Sequence, residues 1–376
     1  MEPAKTRGRY YRPELDVLRF IAFFSVFTAH AFWDTVPRGY LTGYLGTVVN
    51  SLAVTCILGM QIFFFLSAFL IVDLLITEKD RTNSVSVKNF YIRRAFRIWP
   101  LYYFGLALGA AFIVVTHVHQ WRMLALMAVM LGNWLFATGE PWLVNPVSPL
   151  WSVSVEEQFY LFCPWLVRWC QKKTIIGFAA ALTALAVGVE AWLGAHHAEG
   201  DTVIWANTFV EFEFFAGGMV AAVVLHSRQW RPRPMLRFAL AGIAIVTMVT
   251  ATSRFEVALN HPTTGAFDVV IGFGLALVGV SALFFALLGL TRLPKVLIHF
   301  GRISYGLYVF HVFALTAETA LARLWLRAGN PFVIMGARYL LALALTVAAA
   351  ELSYRFFETP FLRLKERFAA VQSRPI

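Results

Sequence analysis

Two polar residues in an apolar stretch near the start of the sequence could take part in chemistry inside a membrane. Arg19 and His30 lie in ELDVLRFIAFFSVFTAHAFWD, residues 14–34. Their eleven-residue spacing is about three helical turns, so both side chains project from one helix face about 16 Å apart. Asp16 and Asp34 share that face. Because an arginine at the centre of a membrane helix costs about 2.5 to 3.5 kcal/mol, this face should either line a wet interior or snorkel to the two interfaces.

Two arginines at the start of a later apolar stretch could bind an anion. FYIRRAFRIWPLYYF, residues 90–104, contains Arg94 and Arg97. Their i,i+3 spacing allows both guanidinium groups to converge on one phosphate or pyrophosphate. The same residues could instead be orientation anchors, since basic residues collect at the cytoplasmic ends of membrane helices.

Two carboxylates and a late histidine complete the candidate residues. SPLWSVSVEEQFYLFCPW places Glu156 and Glu157 at the predicted outer mouth of a span, where a helix macrodipole accounts for only one carboxylate. GRISYGLYVFHVF contains Tyr308 and His311, and a single histidine in such a segment is often a hydrogen-bonded core residue rather than a catalyst. The three cysteines lie in apolar surroundings without metal-ligand spacing, so we expect no metal site.

The composition indicates what kind of protein must position these residues. Of the 376 residues, 59% are hydrophobic and only 14% are charged, whereas a soluble domain carries roughly a quarter charged residues. The net charge is +11, but the basic residues lie in short loops between apolar stretches, as the positive-inside rule requires. We therefore expect a multi-pass membrane protein in contact with the lipid bilayer and no nucleic-acid partner.

The order of apolar stretches predicts an all-α integral membrane protein with about ten transmembrane helices. These stretches lie near residues 15–34, 52–76, 98–117, 122–138, 157–171, 174–195, 205–226, 235–252, 266–290, 303–325 and 335–357. If the basic loops are all cytoplasmic, counting 122–138 as a full crossing breaks their parity, so we predict that this stretch is re-entrant from the outside. Arg323, Arg327 and Arg338 conflict with this topology, because they fall in a predicted external loop.

The same reasoning predicts the placement of the whole chain. We expect a single membrane-embedded domain, residues 1–376, in the cell (inner or plasma) membrane, with cytoplasmic tails at residues 1–14 and 364–376. The basic N-terminal segment and the first apolar stretch resemble a signal peptide, but this stretch is longer than a usual signal core and is rich in bulky aromatic residues. We therefore expect it to remain as the first helix.

Six motifs, in this order, closely resemble those of the membrane acyltransferase 3 family. They are LDVLRFIAFFSVFTAH, FFFLSAFLI, FYIRRAFRIWPLYY, LWSVSVEEQFY, SYGLYVFH and SYRFFETPFLR, which together run from about residue 11 to 365. The family O-acylates bacterial surface polysaccharides such as O-antigen, and related glycans. Three positions depart from its pattern. Phe20 and Ala68 stand where glycine is usual, and Val312 replaces the proline that often follows the late histidine.

The resemblance implies a role for each candidate residue. A basic residue, ten others and a histidine form a family signature that Arg19 and His30 match, and Arg94 and Arg97 match its R-x-x-R signature. It implies donor binding by Arg19, Arg94 and Arg97, and catalysis by His30 as general base or as nucleophile. Asp34 or Glu157 would orient the His30 ring. Glu156, Tyr308 and His311 would contact the acceptor or line a tunnel.

The implied reaction moves an acyl group, most simply acetyl, from cytoplasmic acetyl-CoA to a hydroxyl of an extracytoplasmic or lipid-linked glycan. Acyl-CoA is then a co-substrate, and no tightly bound cofactor is expected. Some family members carry a C-terminal hydrolase-like domain that this sequence lacks, which predicts a separate periplasmic or glycan-assembly partner. Two alternatives remain at this point: a transporter or flippase of a glycan or small solute, and a catalytically inactive assembly partner.

Overall fold

The computed structural model describes residues 11–35, 43–141, 144–196, 202–228, 230–257, 265–325 and 330–371. Within them the chain forms fifteen α-helices and no strand. The helices are α1 (Pro13–Thr35), α2 (Gly43–Thr55), α3 (Gly59–Thr82), α4 (Val87–Thr116), α5 (Trp121–Ala128), α6 (Gly132–Ala137), α7 (Trp151–Trp169), α8 (Lys172–Ala195), α9 (Thr208–Leu225), α10 (Pro234–Ser253), α11 (Ala266–Leu287), α12 (Lys295–Arg302), α13 (Ser304–Trp325), α14 (Pro331–Leu352) and α15 (Thr359–Glu366). Residues 1–10 of the predicted N-terminal tail and residues 372–376 of the predicted C-terminal tail lie outside the described residues.

The helices confirm an all-α integral membrane protein but not the predicted count of ten spans. Among the described residues, eight helical stretches are long and apolar enough to cross a membrane. A ninth is the pair α12 and α13, which is bent by 75°. The remaining predicted span, α7, has nineteen residues, but it includes Glu156, Glu157 and Arg168 and is too polar to qualify by composition.

The predicted re-entrant stretch forms two short helices, α5 and α6. Neither is long enough to cross a bilayer, in keeping with the parity of the loops. The backbone between them is irregular, with Met130 at a positive φ of 59°. Side chains of neighbouring helices donate to carbonyl groups at this break: the Tyr102 hydroxyl donates to Met127 O at 2.7 Å and the Gln158 amide donates to Met130 O at 3.0 Å. Such pairing is what permits non-helical backbone at membrane depth.

Small residues bring the central helices close together. A Cβ at Gly218 of α9 would lie 2.2 Å from Phe65 O and 2.9 Å from the Ala68 Cβ of α3, so only glycine fits there. A Cβ at Gly301 of α12 would likewise lie 1.9 Å from Asp16 O of α1. Close approach through small residues is the usual basis of helix packing in membranes.

The basic loops meet at one end of the helix bundle. Arg93 donates to Phe368 O at 2.9 Å, and Arg168 donates to Val85 O at 2.9 Å. Lys79 donates to two carbonyl groups at the end of α7. These bonds join the loops that were predicted to share a side of the membrane.

Candidate functional site

An internal cavity of about 160 Å³ brings together five of the nine predicted site residues. It is lined by residues of α1, α3, α4, α7 and α13, and by Lys365 of α15. The predicted residues that line it are Arg19, Arg94, Arg97, Glu156 and Tyr308. Glu156 therefore shares a cavity with the arginines, rather than standing apart from them at the outer mouth of a span.

The cavity runs inward from the end of the bundle where the basic loops meet. Tyr11, Arg12 and Lys365 line its outer end, and Met60 and Ser152 line its inner end. Tyr11 donates to Asp16 Oδ2 at 3.0 Å, and burial is the main cause that raises the pKa of its phenol. The phenol therefore remains protonated and fixes this rim of the cavity.

Arg19 and Arg94 are held in different ways. Arg19 forms a 3.0 Å ion pair with Asp16, one helical turn away on α1. The guanidinium of Arg94 lies over the rings of Phe90 and Tyr160, at 5.6 and 5.7 Å, which suits a partly desolvated cation. Its buried Nε–H has no acceptor within the described structure. An unsatisfied buried donor that faces a cavity is a suitable contact for an anionic ligand.

Glu156 is fixed by two hydroxyl groups that sequence reasoning did not single out. Ser67 donates to its Oε1 at 2.8 Å, and Tyr160 donates to its Oε2 at 3.0 Å. Ser67 belongs to the FFFLSAFLI motif and Tyr160 to LWSVSVEEQFY, so their motifs were visible but their pairing was not. At the inner end, Tyr308 donates to Pro149 O at 2.6 Å, which orients its hydroxyl.

His30 and His311 form a pair just beyond the inner end of the cavity. The two ring centroids are 5.0 Å apart, and His311 Nε2 lies 3.3 Å from His30 Nδ1. The His311 ring is also 5.3 Å from the ring of Tyr308, which lines the cavity. The structure thus brings together residues that are 281 positions apart in the sequence.

The surrounding carbonyl groups assign the protons of this pair. His311 Nδ1 lies 2.6 Å from Tyr308 O, and His30 Nδ1 lies 3.0 Å from Val26 O. A carbonyl oxygen only accepts, so both Nδ1 atoms must carry hydrogen. His311 Nε2 is then an acceptor for the His30 Nδ1–H, and His30 Nε2 keeps a free lone pair. The opposite assignment would place a charged imidazolium at the fully buried His311.

The two carboxylates expected to orient His30 are placed differently. Glu157 accepts a hydrogen bond from Trp99 Nε1 at 3.3 Å, its other oxygen is buried without a partner in the described structure, and no bond joins it to His30. The side chain of Asp34 lies outside the described part of the structure. Within the described residues, His30 Nδ1 is instead held by Val26 and His311.

Comparison with known proteins agrees with the motifs. Residues 12–354 match the family model described as an acyltransferase domain. The chain is 26% identical over 396 residues to SAS0844 of Staphylococcus aureus strain MSSA476, whose name describes a candidate O-acetyltransferase; 99% of this chain and 60% of that protein are covered. It is 25% identical over 378 residues to the peptidoglycan O-acetyltransferase OatA of Listeria monocytogenes, with 94% of this chain and 56% of the relative covered.

A third relative shows the same partial coverage. The O-acetyltransferase OatA of Staphylococcus aureus strain NCTC 8325 is 23% identical over 374 residues, which cover 93% of this chain and 57% of the relative. The chain thus spans less than two thirds of the length of these relatives. No solved structure matches it.

Proposed function

Because this chain belongs to the acyltransferase domain family, we propose that it is a membrane O-acyltransferase. It moves an acyl group, most simply acetyl, from acyl-CoA to a hydroxyl of an extracytoplasmic or lipid-linked glycan. The observation that carries the proposal is the single cavity that leads from Arg94 and Arg97 to Tyr308, beside the pair of His30 and His311. The names of the relatives support O-acetylation, and one of them is named for peptidoglycan.

The donor would enter from the end of the cavity where the basic loops meet. Arg94 and Arg97 would hold its phosphates through bidentate hydrogen bonds, and Arg19 would supply a further positive charge. The slender pantetheine arm would follow the cavity inward and place the thioester near Tyr308. His30 does not line this cavity, so the reacting carbonyl must pass Tyr308 to reach it.

His30 Nε2 is the atom proposed to carry the proton. It removes the proton of the acceptor hydroxyl while the hydroxyl oxygen attacks the thioester carbon. The carbon–sulfur bond then breaks, and Nε2–H returns the proton to the leaving thiolate. The route through His311 is closed to the proton, because His311 Nδ1–H ends at the carbonyl of Tyr308. One nitrogen therefore both takes and returns the proton.

The same lone pair could instead act as a nucleophile. His30 Nε2 would then attack the thioester, release CoA and carry the acyl group as an acyl-imidazole until the acceptor removes it. The two routes differ in one observable. Only the nucleophilic route gives labelled protein when radiolabelled donor is supplied without acceptor.

The proposed location follows from the loops and the site. The cell membrane would hold the chain with both termini in the cytoplasm, where acyl-CoA is available, and the acceptor would approach from the other face. No tightly bound cofactor is required. A separate periplasmic or glycan-assembly partner would receive or present the glycan.

The proposal is tested by transfer of radiolabelled acetyl from acetyl-CoA to the host's glycan fraction in isolated membranes. We expect labelled glycan with the wild type, none with His30→Ala, and full labelling with the control His119→Ala, since His119 is exposed between α4 and α5. Equal labelling by His30→Ala would remove His30 from the chemistry. Absence of label with the wild type would contradict the enzyme and favour the transporter.

A further inference from the structure

A second cavity adjoins the outer end of the cavity that is proposed to hold the donor. Its volume is about 770 Å³, within the range of about 300 to 1,000 Å³ typical of ligand sites. The two cavities share Tyr11 and Arg12 as lining residues. The second cavity lies at the end of the bundle where the basic loops meet, between the C-terminal turns of α3 and the segments that follow α9 and α11.

Two of the carboxylates in this cavity are already paired with cations. Asp73 Oδ1 lies 2.7 Å from His226 Nδ1, and the second oxygen of Asp73 lies 3.8 Å from Arg12. Asp80 Oδ2 lies 2.8 Å from His226 Nε2 and 3.8 Å from Lys172. With both ring nitrogens donating to carboxylates, His226 is a cation, and the hydrogen bond to Asp73 is the main cause that raises its pKa.

The third carboxylate accepts a backbone hydrogen bond. Glu14 Oε1 takes the N–H of Gly289 at 3.2 Å. Within the described residues, the three acidic side chains that line the cavity are therefore engaged by this protein's own groups.

Three arginines in the same cavity have no such engagement. Arg81 lies at the end of α3, and Arg228 and Arg231 lie in the segment after α9. None of the three forms an ion pair with a described carboxylate, and Arg228 and Arg231 are exposed. The cavity thus has an excess of positive charge in guanidinium groups, which suit phosphate. Trp230 adds an aromatic wall of the kind on which nucleic-acid bases stack.

The two cavities differ in volume and in charge, as the two ends of one elongated ligand do. The inner cavity, of about 160 Å³, suits a slender chain, and the outer one is several times larger and carries the basic charge. We infer that the outer cavity binds the nucleotide end of the acyl-CoA donor, an adenosine bisphosphate. The inference rests on the proposed function. Arg228 and Arg231 contact the two phosphate groups on the adenosine. The donor crosses the rim at Tyr11 and Arg12 into the inner cavity, where Arg94 and Arg97 hold the remaining phosphate, next to the pantetheine arm.

The test measures binding of CoA and of pantetheine to the full chain in nanodiscs of zwitterionic lipid. The variants are Arg228→Gln and Arg231→Gln. The control is Arg233→Gln, which removes the same charge from the same segment at an exposed residue that does not line the cavity. We expect each cavity variant to weaken CoA binding about three- to tenfold, as the loss of one partly exposed charge-assisted hydrogen bond should. Pantetheine, which lacks the nucleotide, should bind equally to all four proteins.

Several results would overturn the inference. One is a loss of CoA affinity in Arg233→Gln equal to that in the cavity variants, and another is an equal loss for pantetheine. The binding measurement is repeated in nanodiscs of anionic lipid. If the CoA affinity of the wild type falls there to that of the variants, the arginines bind lipid headgroups instead. Acetyl transfer by the wild type with unchanged CoA affinity in the variants would reject this site and leave the proposed function standing. A wild type that neither binds CoA nor transfers acetyl would reject both.

Discussion

His30 keeps its Nε2 lone pair because its other ring nitrogen is engaged twice. Val26 O and His311 Nε2 both accept from Nδ1–H, at 3.0 and 3.3 Å. In many hydrolases a carboxylate holds the tautomer of the catalytic histidine. A neutral imidazole in that place avoids a buried charge, because His311 is itself fixed by Tyr308 O in a fully buried position. In this account His311 is a positioning residue that acts through His30.

Substitutions of His311 test that role. His311→Phe keeps an aromatic ring but removes the acceptor, and we expect kcat to fall about tenfold to a hundredfold, the equivalent of one or two hydrogen bonds. The KM for acetyl-CoA should change little, since the donor phosphates bind elsewhere. His311→Gln places an amide oxygen near the former Nε2 and should restore part of kcat. The measurement is steady-state kinetics on equal amounts of folded protein. Equal kcat for the two variants would contradict the positioning role.

The residue types of the site were readable from the sequence, but most of their pairings were not. The spacing of Arg94 and Arg97 predicts convergence, and both arginines line one cavity. The contact between His30 and His311 depends on how α1 packs against α13, which no local spacing encodes. Glu156 was expected at an outer mouth because it follows the start of a span, yet α7 carries it inward beside Arg94.

At the scale of elements, the packing of α3 against α9 determines the position of Ser67, which lines the inner cavity. Ala68, which departs from the glycine usual in the family motif, is accommodated because Gly218 faces it. A methyl group at Gly218 would meet the Phe65 backbone oxygen at 2.2 Å, and backbone cannot move aside as a flexible side chain can.

Gly218→Ala should therefore destabilise the protein by about 1 to 3 kcal/mol through overpacking. Gly274→Ala is the matched control, because a Cβ at Gly274 of α11 meets nothing within 4 Å. Thermal unfolding of the purified proteins in detergent compares the two. An unfolding midpoint for Gly218→Ala at or above that of Gly274→Ala would show that α3 and α9 are not so closely packed.

The junction of α3 and α9 also predicts a pH dependence. His226, just after α9, is bound to Asp73 and Asp80 of α3, and its pKa is raised above the ordinary value of about 6.5. Since the folded pKa exceeds the unfolded one, the stabilisation is fully present below about pH 6.5 and is lost as pH rises through the raised pKa. Wild-type thermal stability should therefore decline over this range, and His226→Gln should flatten the decline. The same slope in both proteins would refute this role.

The elements were predicted with uneven success for a physical reason. Long apolar stretches such as α8, α10 and α11 are recognised from hydropathy alone. The polar helix α7 was counted as a span because residues 157–171 form an apolar stretch, although the helix also carries Glu156 into an internal cavity. The bend of 75° between α12 and α13 was not predicted, because hydropathy reports the length and polarity of a stretch but not its direction.

At the scale of the whole molecule, the topology predicted from the basic loops places three arginines in an external loop: Arg323, Arg327 and Arg338. The apparent exception at Arg338 has a structural explanation, because its guanidinium binds the fully buried Glu318 through two nitrogens at 2.8 and 3.1 Å. An arginine engaged inside the bundle exerts little influence as a loop charge. Arg323 is exposed and remains against the rule, and Arg327 lies outside the described residues.

We propose that the donor enters from the face with the basic loops and that His30 catalyses transfer of its acyl group to an acceptor from the other face. The most direct test is acyl transfer in sealed vesicles, with radiolabelled acetyl-CoA on one side and glycan acceptor on the other. An impermeant thiol reagent reports orientation through Lys173→Cys or His119→Cys, both exposed, once the three native cysteines are replaced.

We expect labelled glycan only when acetyl-CoA is on the side that exposes position 173 and His30 is intact. Transfer from acetyl-CoA on the side that exposes position 119, or transfer that persists in His30→Ala, would contradict this proposal.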